Sequence, residues 1–398
     1  MISAQEASEI ILSAVCTTGQ ETVDLTAAHE RVLAENIIAT ENIPPFDNSA
    51  MDGYAVRGED VANPPVMLTL VGEVSAGQAP TRELQRGEAI RIMTGGQLPP
   101  GANAVVQLEW TEVVNDGRVR IQRPVTVGHN IRRAGEDIQE GQTVLEGGRE
   151  LRAAELGVLA SLGLKSVEVH RVPHVAILAT GNELIEGDKP LEPGKIRNSN
   201  SYTLRALIKE TGALPVDLGI ARDSRDQLKG KILEGLASDA LVTSGGVSVG
   251  SYDLVQAVMK ELGVGIRFWK VNIKPGMPFL FGVYKGKPVF GLPGNPVSTM
   301  VTFLKFVQPA IQKMRGMRHP EREFYLRAEL LQDIRKTDGK RHFVRGVLEN
   351  QSGRLTVRTT GSQSSNVLTS LVRANCLILI SEETEFLKKG HLVEVELL

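Results

Sequence analysis

The sequence predicts a multidomain α/β protein built around one parallel sheet, with smaller β-rich parts before and after it. Three observations carry this. Between residues 172 and 318, apolar strand-like runs alternate with helical runs of about 10–15 residues, the pattern of βαβ units with right-handed crossovers. Residues 66–125, and again the residues after Pro320, read instead as short alternating strands separated by turn residues. At 398 residues the chain also exceeds one ordinary domain, for which about 150 residues is the usual size.

Taken in order, Ser3 and Glu6 form a capping-box pattern ahead of Ile10, Ile11 and Val15, predicting a helix over 3–15. Residues 21–40 mix alternation with a short helical pattern. In IPPFDNSAMDGYAV (43–56) two prolines stop regular structure, and Asp47, Asn48, Ser49 and Asp52 cluster in what reads as a loop. VMLTLVGEV, AIRIMTGG, NAVVQLEWTEVV and RVRIQRPV follow as strands, with Asn115-Asp116-Gly117 as a hairpin turn. NIRRAGEDI (130–138) gathers Arg132, Arg133, Glu136 and Asp137 into a charged loop. A helix over 152–163, closed by Gly163, reads as the remainder of a first domain that the β module interrupts.

HVAILATGNEL then opens the α/β region as a strand buried on both faces. A helix over 201–211 ends at Gly212, PVDLGIARD is the next strand, and Ser224 caps the next helix. DALVTSGG, YDLVQAVMKELG, IRFWKVNI and KPVFGLPG continue the alternation, and a long helix from about Val297 to Met314 closes it. The last runs, from EFYLRAELLQDI to LVEVELL, form a small all-β terminal part.

Composition removes several function classes. Hydrophobic content of 41% supports real cores, while 45 basic against 47 acidic residues give no electrostatic reason to expect nucleic acid or an anionic membrane as partner. The two cysteines, Cys16 and Cys376, belong to no ligand-spaced cluster, which argues against zinc or a disulfide framework and for a reducing cytoplasm. No signal peptide and no membrane span is expected. The histidines form no nucleophilic arrangement.

Function concentrates where strands of the parallel sheet end, because ligands of such sheets sit beyond the carboxyl ends of the strands. Ser244-Gly245-Gly246, the turn from Lys270 to Gly276, and Pro293-Gly294-Asn295-Pro296 all fall there. SGGVSVGSYD is neither a P-loop nor G-x-G-x-x-G, yet its glycines admit a close ligand and Ser244 and Ser248 offer hydroxyls. Lys270 and Lys274 add positive charge. Glu183, Asp223 and Asp253 each follow a strand; they read as ligands for Mg²⁺, or, for Asp223 and Asp253, as turn and helix-cap residues.

With FDNSAMDGYAV, IRIMTGG, NIRRAGEDI, ATGNEL, TSGGVSVGSYD, IKPGMPF and GLPGNP in this order, the chain resembles the MoeA family of molybdopterin molybdenumtransferases, which includes the E domain of gephyrin. The resemblance implies a dimerisation domain (1–45 and 139–171) with an inserted β domain (46–138), an adenylyltransferase-like α/β domain (172–318) and a C-terminal β barrel (319–398). It also implies a homodimer that inserts molybdate into adenylylated molybdopterin with Mg²⁺ or a similar ion, releases AMP, and works beside other proteins of molybdenum cofactor biosynthesis.

On matching positions, Glu183, Asp223 and Asp253 are the acidic, metal-holding residues. Gly245, Gly246 and Ser248 cradle a phosphate, Lys270 and Lys274 meet the oxyanion, and Pro293 and Pro296 shape the floor. Asp52, Thr94, Arg132 and Asp137 reach the other subunit's crevice, and Arg341 and Ser365 close over the oxyanion. Two departures stand out: Met277 where many members carry a second lysine, and Asn182 where an acidic residue often precedes Glu183. The alternative readings for this chain are adenylylation of molybdopterin and a non-enzymatic gephyrin-like scaffold.

Overall fold

The computed structural model describes residues 1–114, 116–246, 252–320 and 325–398, with the side chains of 252 and 253 outside the description. Its central sheet has six strands in the order Leu214–Ala221, His174–Thr180, Ala240–Ser244, Lys287–Leu292, Pro278–Tyr284, Gly265–Lys270. The first four are parallel. Period-2 alternation in HVAILAT feeds two cores. Val175 and Ile177 pack with helix Ser199–Glu210 and the helical stretch beginning at Pro296. Ala176 and Leu178 pack with helices Arg225–Gly235 and Tyr252–Glu261 on the other face. Both layers cover the sheet, which is why its strands read as unbroken apolar runs.

The strict alternation of strand and helix fails after Glu261. PFLFGVY, which looked like the tail of a turn, is a buried strand running antiparallel between its neighbours. It forms a hairpin with Lys287–Leu292 through Lys285-Gly286, both at positive φ. IRFWKVNI is likewise not one strand. Gly265–Lys270 stays at the sheet edge, while Ile273–Lys274 leaves it and pairs in parallel with Arg341 and His342. The closing helix runs as Pro296–Thr302, a π-type turn Phe303–Val307, and Gln308–Met314.

The inserted β part is a six-stranded sheet ordered Ala104–Gln107, Gly53–Val56, Glu88–Ile92, Val66–Val74, Arg118–Ile121, Thr111–Val114. Gly53–Val56, expected within a loop, is instead a fully buried inner strand. Gly53 permits it, since a Cβ there would meet the Val106 carbonyl. The C-terminal strands Arg341–Gln351, Arg354–Thr359, Tyr325–Leu330, Leu392–Leu397 and Cys376–Ile380 close on themselves into a five-stranded barrel.

Helix Ala4–Ala14 carries the expected capping box and buries Ala4, Ala7 and Ile11 in the core of the α/β part. Strand Gln20–Asp24 pairs with Ser166–His170, and residues 23–43 share one apolar cluster with 138–169 across the insertion. Among the described residues no helix is long and apolar enough to cross a membrane.

Candidate functional site

The carboxyl ends of four parallel strands form a single rim, and side chains from neighbouring elements stitch it together. Asn200, in the first turn of its helix, donates from Nδ2 to Ser244 Oγ and to the Gly294 carbonyl, each at 2.8 Å. One amide thereby joins the exits of Ala240–Ser244 and Lys287–Leu292. Gly245 N–H donates to the Leu292 carbonyl at 3.1 Å, and Gly245 and Gly294 stand so close that a Cβ on the latter would lie 3.7 Å from the former's Cα. Gly245 and Gly246 both sit in the left-handed region, at φ +92° and +68°. A Cβ on Gly246 would meet Val255 and lie 2.8 Å from Thr180 Oγ1. Only glycine satisfies both demands.

On the next two strands, Asn182 and Asp223 form a reciprocal pair. The Asn182 N–H donates to Asp223 Oδ2 at 3.3 Å, and the Asp223 N–H donates to Asn182 Oδ1 at 3.1 Å. The asparagine that departs from the family pattern therefore serves as a brace. Arg222 donates to the carbonyls of Gly181, Asn182 and Leu184, and Lys195 adds a bond to Asn182 O at 2.7 Å. This fixes the loop bearing Glu183, whose carboxylate lies over Gly181. Among the described residues neither Glu183 nor Asp223 is in an ion pair with a cation, so both remain hard oxygen donors at the rim. No group of three metal-capable residues forms among the described residues. Helix Tyr252–Glu261 follows the Ser244-Gly245-Gly246 turn in the chain, but the Asp253 side chain and all of Ser248 lie outside the described residues.

The far side of the rim meets the barrel. Asn295 Nδ2 donates to Ser365 Oγ at 2.9 Å, and the Val297 N–H donates to the Ser365 carbonyl at 3.2 Å. The helix start expected to face an anion is thus partly capped by the barrel. Pro293 O accepts from Thr299 Oγ1 at 2.6 Å, and Pro296 is the first helical residue. Lys270 is exposed at the end of the edge strand. Lys274 Nζ lies 3.0 Å from Asp338 Oδ2, whose Oδ1 is 2.8 Å from His342 Nε2. Burial opposes ionisation of Asp338, but the hydrogen bonds from Lys274 and His342 outweigh it and hold its carboxyl far below the usual range.

Arg341, expected over the oxyanion, turns elsewhere. Its Nε is 3.6 Å from Glu382 Oε2, and it lines a cavity of about 1110 Å³ with Gln5, Glu9, Lys305 and Phe343. None of the rim residues lines that cavity. The arginine that does govern the Ser365 loop is Arg345, which the sequence reading passed over. It is 1% exposed and donates to Ser370 Oγ and to the carbonyls of Ser362 and Ser364. Burial without a carboxylate pushes its pKa down to about 10. Arg345 shares its strand phase with Phe343, which packs into the α/β core, whereas the barrel core takes Val344.

The remaining candidates form a second patch at one end of the inserted sheet. Asp52 Oδ1 accepts from the Thr94 N–H at 2.7 Å and from Thr94 Oγ1 at 2.8 Å, which holds its carboxyl below the usual range. Arg133 Nη1 lies 2.6 Å from Asp47 Oδ2, and the Ala134 N–H donates to Asp47 Oδ1. Main-chain bonds Ser49 to Gly96, Gly95 to Ser49 and Ala50 to Asn130 lock the three motif loops together. Arg132 and Asp137 are exposed on this patch. Among the described residues, no hydrogen bond or ion pair links it to the rim.

A doubly wound α/β part whose strand exits converge on a polar, glycine-lined rim, met by a separate barrel, has the architecture of an enzyme that takes its ligand at the carboxyl ends of the strands. Family profiles agree along the whole chain. Residues 2–163 match the MoeA N-terminal region (domain I and II), 176–313 match the "probable molybdopterin binding domain", and 327–398 match the MoeA C-terminal region (domain IV). The chain is 38% identical to the molybdopterin molybdenumtransferase of Haemophilus influenzae over 95% of this chain and 94% of that one. It is 39% identical to molybdopterin molybdenumtransferase 2 of Mycobacterium tuberculosis over 99% of each. A crystal structure of a molybdopterin biosynthesis MoeA protein from Pyrococcus horikoshii OT3 superposes over all of both chains with a TM-score of 0.87 at 33% identity. The chain belongs to the MoeA family and is a transferase of molybdenum cofactor biosynthesis.

Proposed function

We propose that this chain inserts molybdate into the dithiolene of adenylylated molybdopterin, releasing AMP, in the cytoplasm and as a homodimer. The observation that carries the reading is the Asn200 tie between Ser244 and Gly294, which sets a glycine-lined phosphate cradle directly beside the Asn182–Asp223 brace. Gly245 and Gly246 let the nucleotide or pterin phosphate approach the backbone, with Ser244 and Ser248 as hydroxyl donors. Lys270 and Lys274 meet the oxyanion, and Pro293, Asn295 and Pro296 form a stiff floor that Ser365 closes.

Glu183, Asp223 and Asp253 would hold Mg²⁺ or a similar divalent ion; the hard carboxylates at Glu183 and Asp223, free of cationic partners among the described residues, suit it. When bound, such an ion offsets phosphate charge and polarises the phosphoanhydride. The protein's own part is positioning and charge neutralisation, since molybdate must come up beside a phosphate and a dithiolate.

The Asp52, Thr94, Arg132 and Asp137 patch completes the crevice of the partner subunit, which explains why it is built yet isolated within one chain. The proposed division is 1–45 with 139–171, then 46–138, 172–318 and 319–398, the first of these serving the dimer.

A reconstituted assay tests the activity. Purified protein should release AMP from adenylylated molybdopterin when molybdate is added and not without it. ATP-dependent formation of the adenylate, with no molybdate-dependent AMP release, would overturn the reading.

A further inference from the structure

The cationic wall of the crevice holds one ammonium that no function so far uses. Lys340 belongs to the barrel but reaches across to the Lys274–Met277 turn, where its Nζ lies 3.5 Å from Met277 Sδ. Its backbone is pinned from several sides. The Asn272 Nδ2 donates to the Gly339 carbonyl at 2.9 Å, the Arg341 N–H donates to the Asn272 carbonyl at 3.0 Å, and buried Lys336 donates to the Lys340 carbonyl at 2.8 Å. Parallel pairing of Ile273 and Lys274 with Arg341 and His342 sets the register. A lysine at a merely solvated surface needs no such framework.

Charge counting then gives it a role. Lys274 is already paired with Asp338, and Arg341 lies toward Glu382. Lys336 spends its ammonium on two carbonyls. Among the described residues Lys340 makes no ion pair, and a thioether is a weak acceptor that gives an ammonium little. Lys340, like exposed Lys270 at the start of the turn, is therefore a positive charge here without an ion pair among the described residues, and it is the one that stands beside Met277. Met277 and lysine are both long unbranched chains, so an ammonium beside Met277 Sδ stands about where a lysine at position 277 would carry its own.

We propose that Lys340 is an oxyanion-binding residue for the molybdate of the reaction above, supplying from the barrel the charge that Met277 leaves out. This rests on the molybdenum-insertion reading. Because the Lys340 side chain comes from a different part of the chain, seating the barrel against the turn is what completes the subsite.

The test uses full-length protein and molybdate itself, measured by equilibrium dialysis and by the KM for molybdate in the insertion assay. K340M should weaken molybdate binding and raise KM about 10- to 100-fold with little change in kcat, the usual cost of losing one charge-assisted contact. K340R should retain most of the affinity, and the double variant M277K/K340M should regain most of it. M277K alone should gain nothing, since two ammonium groups would then share one place. Binding by K340M equal to the parent, or a K340M defect that M277K fails to rescue, would overturn the role of Lys340 while leaving the insertion reading intact. Parent protein that neither binds molybdate nor releases AMP in its presence would overturn both.

Discussion

The rim of the α/β part and the patch on the inserted sheet are both polar, and both collect the motifs that stand out in the sequence, but they are built in opposite ways. The patch assembles itself: FDNS, MTGG and NIRRAGED bond to one another largely through main-chain groups and through the Asp52–Thr94 and Asp47–Arg133 pairs. The rim is held from outside, by Asn200, Arg222, Lys195 and Ser365, none of which lies in the three glycine- and lysine-rich turns that first drew notice. A patch of the first kind tolerates separation from the rest of the molecule. A rim of the second kind exists only while sheet, helix and barrel keep their register.

Substitutions should therefore part company by region. The largest effect belongs to Asp223→Ala, which removes a carboxylate from the proposed metal and phosphate site. AMP release should fall about 100- to 1000-fold, typical of losing one preorganised charge, while the thermal midpoint moves little. Near-parental turnover would remove Asp223 from the chemistry.

Gly246→Ala should cost stability as well as activity, about 2–4 kcal/mol in urea unfolding, because the new Cβ meets Val255 at a left-handed φ. An unshifted urea midpoint would mean that the turn is less tightly built than described.

Asn200→Ala is expected to cost about 1–3 kcal/mol by leaving Ser244 Oγ and the Gly294 carbonyl without their shared donor. Substrate affinity should fall with it, while Thr94→Ala on the patch leaves stability nearly unchanged. The reverse ranking would contradict the contrast between the two regions.

The smallest expectation concerns the cysteines. Cys376 is buried, which pushes its thiol up to about 11, whereas Cys16 is exposed. Iodoacetamide at mildly alkaline pH should modify Cys16 in the native protein and reach Cys376 only on unfolding; native labelling of both would show a looser barrel.

The sequence made the sheet legible because buried parallel strands announce themselves, as HVAILAT does. It hid Pro278–Tyr284 because a strand opening at a proline, straight after a turn, looks like that turn's continuation. It also hid Gly53–Val56, since the prolines at 44 and 45 and the polar residues before it resemble the start of a longer loop.

Site residues with glycine or proline in their motifs were visible, because such turns carry a backbone reason for being there. Asn200, Arg345 and Lys340 were not, since each matters through partners well separated in sequence, from 17 residues away for Arg345 to 94 for Asn200. Two arginines four apart on one regular strand share a face, so period-2 alternation cannot tell them apart; what differs is their partners, Glu382 for Arg341 and Ser362, Ser364 and Ser370 for Arg345.

Mixing two inactive variants tests the central claim, that the patch of one chain completes the rim of another. Asp52→Ala damages the patch and Asp223→Ala the rim, so a mixed dimer keeps one intact crevice made from the undamaged half of each chain. Subunit exchange between the two purified variants should restore molybdate-dependent AMP release to about one quarter of the parental rate, since random pairing makes half the dimers mixed, each with one site in two. A mixture no more active than its components, with mixed dimers shown to have formed, would contradict the account.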